Sequence, residues 1–236
     1  MLVKYLQAFK DIIYPSLCFA CERKIPQGYL CQECQDKIAY LAPPLCRLCS
    51  KPLLHRKSDL CAQCNKKKSP FKRVLSITVY KEPMTGLLHL LKYKNYDYLG
   101  RFLSCLMIQH IERIGLDLSC YQAIIPVPLH PFKRKERGYN QTELLAEQIA
   151  NHFQIPLRND IIYQKKDKTS QTRLKKEQRE KAMQGVFSAQ KDLKDKNVIL
   201  IDDILTTGST LKECALALKE KGAKDIMAIT LSKTLN

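Results

Sequence analysis

A parallel α/β sheet flanked by helices, with a small cysteine-rich metal module ahead of it, is the architecture predicted by this chain of 236 residues. Three observations carry it. Val198, Ile199, Leu200 and Ile201 are consecutive and apolar, so neither face of that segment meets water, as in the central strand of a parallel sheet. Strand-like and helix-like runs follow one another between Val74 and Phe153. Eight of the 11 cysteines form four CxxC pairs before those runs begin. Pro70, preceded by the basic run Asn65 to Ser69, marks the boundary expected between a module over 1–69 and a sheet domain over 70–236.

The first residues, MLVKYLQAFKDIIYP, place Leu2, Leu6, Phe9 and Ile13 at helical spacing. Lys4, Lys10 and Asp11 interrupt the apolar run, so a short docking helix is expected and a signal peptide is not. Nowhere does an uncharged apolar run approach the ~20 residues that span a bilayer. A leaderless chain rich in cysteine implies reduced thiols, metal and a cytoplasmic setting.

The pairs are Cys18/Cys21, Cys31/Cys34, Cys46/Cys49 and Cys61/Cys64. Each CxxC turn aims two thiolates at one ion, and a second turn completes a tetrahedron, so structural Zn2+, two ions in all, is expected. Spacing leaves consecutive and interleaved pairing both open. The stretches between knuckles are poor in large apolar residues, so metal supplies most of the folding free energy. A closed four-cysteine site leaves no position for chemistry. His55 reads as a solvated loop residue, and the lone Cys105, Cys120 and Cys214 as small core residues.

In the body, Val74 to Tyr80 favours a strand by its residue types, and Met84 to Lys94 a helix with a basic end. Arg101 to Gly115 reads as a helix stopped by its glycine. Pro126 and Pro128 then stiffen the exit from a buried strand. His130, Lys133, Arg134, Lys135 and Arg137 follow as a cationic loop before a helix that presents Leu144, Leu145, Gln148 and Ile149 as its core face. Strand, rigid turn, basic loop and helix start suit a pyrophosphate.

Beyond Ile201 stand two carboxylates, Asp202 and Asp203, where the strand should end. Thr206, Thr207, Gly208, Ser209 and Thr210 then open the helical run LKECALALKEKG. Helix-start N–H groups and hydroxyls hold a phosphate, and the acids accept hydrogen bonds from vicinal ribose hydroxyls. No lysine follows the glycine, which excludes a Walker loop. Too few residues follow Asp203 to complete a receiver domain.

The segment VILIDDILTTGST resembles the 5-phosphoribosyl-1-pyrophosphate (PRPP) motif of type I phosphoribosyltransferases. IPVPLHPFKRKERGYNQTELLA and TSQTRLKKEQREKAMQGVF resemble the ComF/ComFC competence-associated family, as do four CxxC pairs in front of such a body. The resemblance runs from Cys18 to about Thr230 and implies a type I phosphoribosyltransferase fold with a double zinc ribbon. It further implies that Asp202 and Asp203 bracket the ribose and that Thr206 to Thr210 wrap the 5-phosphate. Thr169 to Lys181 would be the mobile loop closing over PRPP, with Gln171, Leu174, Arg179, Gly185 and Phe187 matching the family pattern. Ala182 departs from it, standing where asparagine is usual.

An active transferase of this kind takes PRPP with Mg2+. Asp202 and Asp203 hold the ribose and Arg137 stabilises departing pyrophosphate; His130, Arg134 and, more weakly, Lys92 assist in binding. Asp203 also suits a proton relay from the acceptor. The resemblance equally implies a binding role in natural transformation, on imported single-stranded DNA and beside a ComFA-like helicase. A formal charge of +17 fits phosphate-rich partners. Tyr93, Tyr96 and Tyr98 interleave with Lys92, Lys94 and Arg101, which suits a single-strand platform or, more ordinarily, buried and solvated tyrosines.

Overall fold

A computed structural model describes residues 16–54, 58–94, 96–164 and 185–235. The expected leading helix, His55, and the loop residues Gln171, Leu174, Arg179 and Ala182 lie outside the described residues.

The cysteine module carries two short helices, α1 (Gln32–Asp36) and α2 (Ala62–Asn65), each opening just after the first cysteine of a CxxC pair. The body follows as β1 (Arg73–Val79), α3 (Met84–Tyr93), α4 (Leu99–Arg113), β2 (Ala123–Pro126), α5 (Pro131–Arg137) and α6 (Gln141–Phe153). Then come β3 (Ile162–Gln164), β4 (Phe187–Ala189), β5 (Val198–Leu205), α7 (Ser209–Glu220) and β6 (Ile226–Lys233). Four strands form one parallel sheet in the order β1-β6-β5-β2, while β3 and β4 make a separate antiparallel pair. No helix among the described residues is long and apolar enough to cross a membrane.

The two faces of β5 bury against different layers, which is why its four leading residues are all apolar. Ile199 and Ile201 pack with Leu87 and Leu91 of α3, Met107 of α4 and Leu145 of α6. Val198 and Leu200 pack with Leu211 and Leu218 of α7 and Phe187 of β4. Each such side chain contributes about 1.5–3 kcal/mol through burial. The alternation breaks at the acid pair. Ile204 joins the first layer and Leu205 the second, the reverse of what strict period two dictates.

Three expectations need correction. The strand does not end at Asp202 but runs to Leu205, because β6 continues to pair with it (Ile204 with Ser232, Leu205 with Lys233). On the other side, however, β2 stops at Pro126 opposite Ile201, so the acids do stand beyond one neighbour. The cationic loop is a helix, α5. Pro131 suits a first helical position, His130 Nδ1 accepts a hydrogen bond from the Phe132 N–H at 3.2 Å, and Gly138 at φ +82° closes the end. Cys214 is buried, but Cys105 and Cys120 are exposed. Cys105 lies on the outward stripe of α4 with Arg101, Gln109 and Glu112, and Cys120 in a turn.

Both borders of the sheet are covered. Along β1, Leu41 N–H donates to Ile77 O and Val79 N–H to Ala39 O, each at 2.8 Å. Val74 N–H donates to Arg47 O at 2.8 Å. Ser50 Oγ donates to Val74 O at 2.7 Å and accepts from Ser76 N–H at 2.9 Å. Along β2, Ile124 N–H donates to Pro156 O and accepts in turn at its carbonyl from Arg158 N–H. The first half of the module also enters the core, with Cys18, Leu30, Cys34 and Ile38 in the layer shared with α3 and α4.

Candidate functional site

The knuckles pair consecutively. Cys18, Cys21, Cys31 and Cys34 form one group and Cys46, Cys49, Cys61 and Cys64 another, with all ligand atoms of a group within 4.8 Å of one another. Four sulfurs held about 2.3 Å from one ion stand about 3.8 Å apart. Cys21 and Cys31 are separated by 3.7 Å, and Cys49 and Cys61 by 3.8 Å, so the thiols fit tetrahedral zinc. Arg23 lowers the Cys21 thiol to about 6 by donating a hydrogen bond to its sulfur, while binding Glu33 at 2.8 Å. At the second group, the buried Lys233 of β6 has the four cysteines as its charged neighbours.

At the carboxyl end of β5, the acids are 9% (Asp202) and 5% (Asp203) exposed. Asp202 Oδ1 accepts a hydrogen bond from the Asp203 N–H at 2.8 Å. Lys92 Nζ of α3 lies 2.8 Å from Asp203 Oδ2, an ion pair whose angle leaves that oxygen without a directed hydrogen bond. Lys92, expected to assist in binding PRPP, has the second acid as its partner here.

Burial, then the charge of Asp203, raises the Asp202 carboxyl above the usual carboxylate range, against the opposing pull of Lys92. A carboxyl raised on folding holds its proton in the native chain while the unfolded chain has lost it, so stability falls as pH climbs through that window. Asp202→Asn is therefore expected to stabilise the ligand-free protein at about pH 8 by about 1–3 kcal/mol. The gain shrinks toward about pH 5, where Asp202 keeps its proton in the native state. Urea unfolding at both pH values checks this; a gain independent of pH refutes it.

After Leu205 the chain turns into α7. Gly208 takes φ +80°, and a Cβ there would meet Leu205 Cδ1 at 3.3 Å, so glycine alone fits without strain. Thr207 and Ser209 hydroxyls stand 2.9 Å apart, and Thr207 Oγ1 also receives the Ser209 N–H at 3.4 Å. Thr206 and Thr207 are exposed, and Gly208, Ser209 and Thr210 half-buried at the start of a 12-residue helix. Its first-turn N–H groups have no intrahelical acceptors.

The basic helix is brought to this end by α3 and α6. Tyr139 Oη donates to Leu91 O of α3, and the Arg137 guanidinium lies over the Tyr93 ring of α3, 5.4 Å from its centroid. Arg137 also donates to Gln141 Oε1. Arg134 is held by Glu143 through two hydrogen bonds of 2.7 and 2.9 Å. Asn140 caps α6 and donates to Val127 O at 3.1 Å; Thr142 Oγ1 donates to the same carbonyl at 2.7 Å. Val127 N–H in turn donates to Ile201 O, beside the acids. Thus α3 carries Lys92 to the acids and Tyr93 to the basic helix in one turn. The sequence marks Asn140 by its place before an apolar-periodic run, but nothing in it points to Tyr139.

The three tyrosines divide. Tyr96 and Tyr98 join an aromatic cluster with Phe19 and Tyr29 of the module, at centroid distances of 5.5 Å for Phe19–Tyr96 and 6.1 Å for Tyr29–Tyr98. Tyr93 is 66% exposed. Of the loop positions, Gly185 at φ +71° donates its N–H to Glu213 of α7 at 3.0 Å, and Phe187 is buried in β4.

Residues 141–234 match the Phosphoribosyl transferase domain family and residues 9–70 the Double zinc ribbon domain family. Competence protein F of Haemophilus influenzae is 31% identical over 215 residues, covering 89% of this chain and 92% of the relative. DNA utilization protein YhgH of Escherichia coli K12 is 25% identical, covering 94% and 98%. Competence protein ComFC of Bacillus subtilis is 26% identical, covering 89% and 86%. The parallel sheet is a type I phosphoribosyltransferase fold, and its likeness to these relatives reaches back through the ribbons as well. The chain belongs to the competence protein F (ComF/ComFC) family.

Proposed function

We propose that this protein binds Mg-PRPP at the carboxyl ends of β2 and β5 and serves in handling imported single-stranded DNA during natural transformation. One observation carries the first half. Two buried acids, a lysine and a hydroxyl-rich helix start converge beyond the end of β2, where ligands of open parallel sheets bind. Asp202 and Asp203 are acceptors for ribose hydroxyls, and entry of the sugar exchanges the Lys92 contact for those hydrogen bonds. Thr206, Thr207, Gly208, Ser209, Thr210 and the α7 N–H groups hold the 5-phosphate. Arg137, with His130 and with Arg134 once released from Glu143, faces the pyrophosphate. The acids' oxygens suit a hard cation, and Mg2+ arriving with PRPP supplies charge neutralisation at the leaving group.

Support for the DNA role is the charge of +17 and the names of the relatives, a competence protein and a DNA utilization protein. This reading places the chain in the cytoplasm beside a ComFA-like helicase. The alternative is transfer of the phosphoribosyl group to a small acceptor unrelated to DNA. It draws on the same acids and would show as pyrophosphate release with that acceptor.

Mg-PRPP at about 100 times its dissociation constant is expected to stabilise the protein by about 2.7 kcal/mol, seen as a rise in Tm. Asp202→Ala with Asp203→Ala should abolish that rise while the protein still unfolds cooperatively. Full stabilisation of the double variant would remove the phosphosugar assignment.

A further inference from the structure

The first group of cysteines is open to solvent on one side. Cys18 and Cys34 are buried, whereas Cys31 is half-buried and Cys21 exposed. The outward edge of the sulfur cluster therefore runs from Cys21 to Cys31, and it joins the two knuckles: Cys21 closes one CxxC pair and Cys31 opens the other. Four thiolates leave a bound Zn2+ with about two excess negative charges, and here part of that charge faces water.

Arg23 lies along this edge. Its Nε–H donates to Cys21 Sγ at 3.3 Å, and an Nη2–H donates to Cys31 Sγ at 3.8 Å. The other edge of the same guanidinium is held by Glu33, through Nη1 at 2.8 Å and Nη2 at 2.5 Å. A guanidinium carries five N–H groups in one plane, so a single side chain serves both sulfurs and the carboxylate. A lysine ammonium is a point charge without that fork.

Each knuckle thus supplies a sulfur of the open edge and one half of an ion pair that closes over it. Arg23 stands two residues after Cys21, where Cys18 N–H fixes its carbonyl at 2.9 Å. Glu33 stands in the first turn of α1, two residues after Cys31. As a surface ion pair the two would contribute little, since their side chains are 52% and 63% exposed. Contact with two ligand sulfurs gives Arg23 a different part.

We propose that Arg23 is the residue that retains metal at the first zinc centre, with Glu33 as the group that positions it. Its two hydrogen bonds stabilise the Cys21 and Cys31 thiolates in their charged form, and its guanidinium covers the edge from which a competing ligand would enter. The proposal rests on zinc filling the cysteine groups and is independent of the phosphosugar reading. The second centre takes no part in these contacts; there Cys46 Sγ accepts the backbone N–H of Cys61 at 3.3 Å. It serves as an internal reference.

The test uses the full-length protein. Zinc content by mass spectrometry should match both cysteine groups in the wild type; a smaller content removes the zinc premise and the proposal with it. Cadmium, an NMR-active stand-in for zinc, should then give one resonance per centre, and Cys46→Ser identifies that of the second. Arg23→Met should move the first resonance and leave the other in place. In excess chelator, Arg23→Met should lose metal from the first centre about tenfold faster or more, in line with the effect of groups that hydrogen-bond to metal ligands. Glu33→Gln should quicken that loss to a smaller degree, and Arg23→Lys, which keeps the charge but not the fork, should also lose metal faster than the wild type. Should Arg23→Met fail to fold, Arg23→Lys and Glu33→Gln decide by the same rates. A first-centre resonance that Arg23→Met leaves unmoved overturns the proposal. So does an unchanged release rate, or an equal acceleration at both centres, which would mark a general loosening of the module.

Discussion

Replacing Cys46 with serine is expected to cost the protein one zinc equivalent and to expose the first half of β1 to solvent. Cys46 is fully buried and is one of four thiols at the second centre. A structural zinc of this kind brings about 10–16 kcal/mol of apparent binding free energy at neutral pH. That rivals the net stability of a whole domain, about 5–15 kcal/mol. Loss of the second ribbon's order should have a local signature. The N–H groups of Val74 and Ser76 are held by Arg47 O and Ser50 Oγ, which belong to that ribbon. The N–H of Val79 is held by Ala39 O, which lies before it. Hydrogen exchange should therefore accelerate at Val74 and Ser76 and stay slow at Val79, alongside a fall in zinc content measured by mass spectrometry. Unchanged exchange at Val74 and Ser76 in a variant that has lost its zinc would show that the ribbon edge holds without metal.

The second large effect is expected at Lys92→Met. The side chains of Lys92 and Asp203 are 18% and 7% exposed, so little water is at hand to compensate when one partner goes. Removing one member of a buried ion pair typically costs about 3–5 kcal/mol, because the other charge is left uncompensated. Here the stranded group is Asp203, whose Oδ2 makes no directed hydrogen bond in the native protein. Adding Asp203→Asn to Lys92→Met removes that charge and should recover most of the loss, which a double-mutant cycle in urea will report. Equal stability of wild type and Lys92→Met would mean that the contact carries no net energy. A double variant no better than Lys92→Met would mean that the loss is one of packing, since the lysine stem also covers apolar surface.

What the sequence could disclose here depended on whether the relevant physics was local. The buried strand was legible because Val198 to Ile201 must be apolar on both faces, and the acid pair and hydroxyl turn follow it without a gap. The ribbons were legible because CxxC geometry is a property of four residues. Which knuckles share an ion was not, since spacing allows either arrangement and only the sulfur positions decide it. The helical state of Pro131–Arg137 hides behind its run of charges, although a proline at the first position and a glycine after the last both mark it. Cys105 was assigned to the core although Arg101, Gln109 and Glu112 mark its stripe as outward. The strand at Ile226–Lys233 drew no expectation, yet it lies between β1 and β5. The meeting of Lys92 with Asp203 joins elements far apart in the chain, and no local pattern signals it. His110 likewise looks like any helical histidine until Tyr40 and Arg113 are seen around it.

An uncovered β-border is a template on which a second chain can add, and this sheet leaves neither border open. Residues 156–158 shield one side by ordinary backbone pairing, but the other is guarded in part by segments that carry the cysteine groups fitted for zinc. Solubility is thereby expected to follow zinc supply: without metal the apolar strand at Val74–Ile77 loses its cover on one side and offers a template for association.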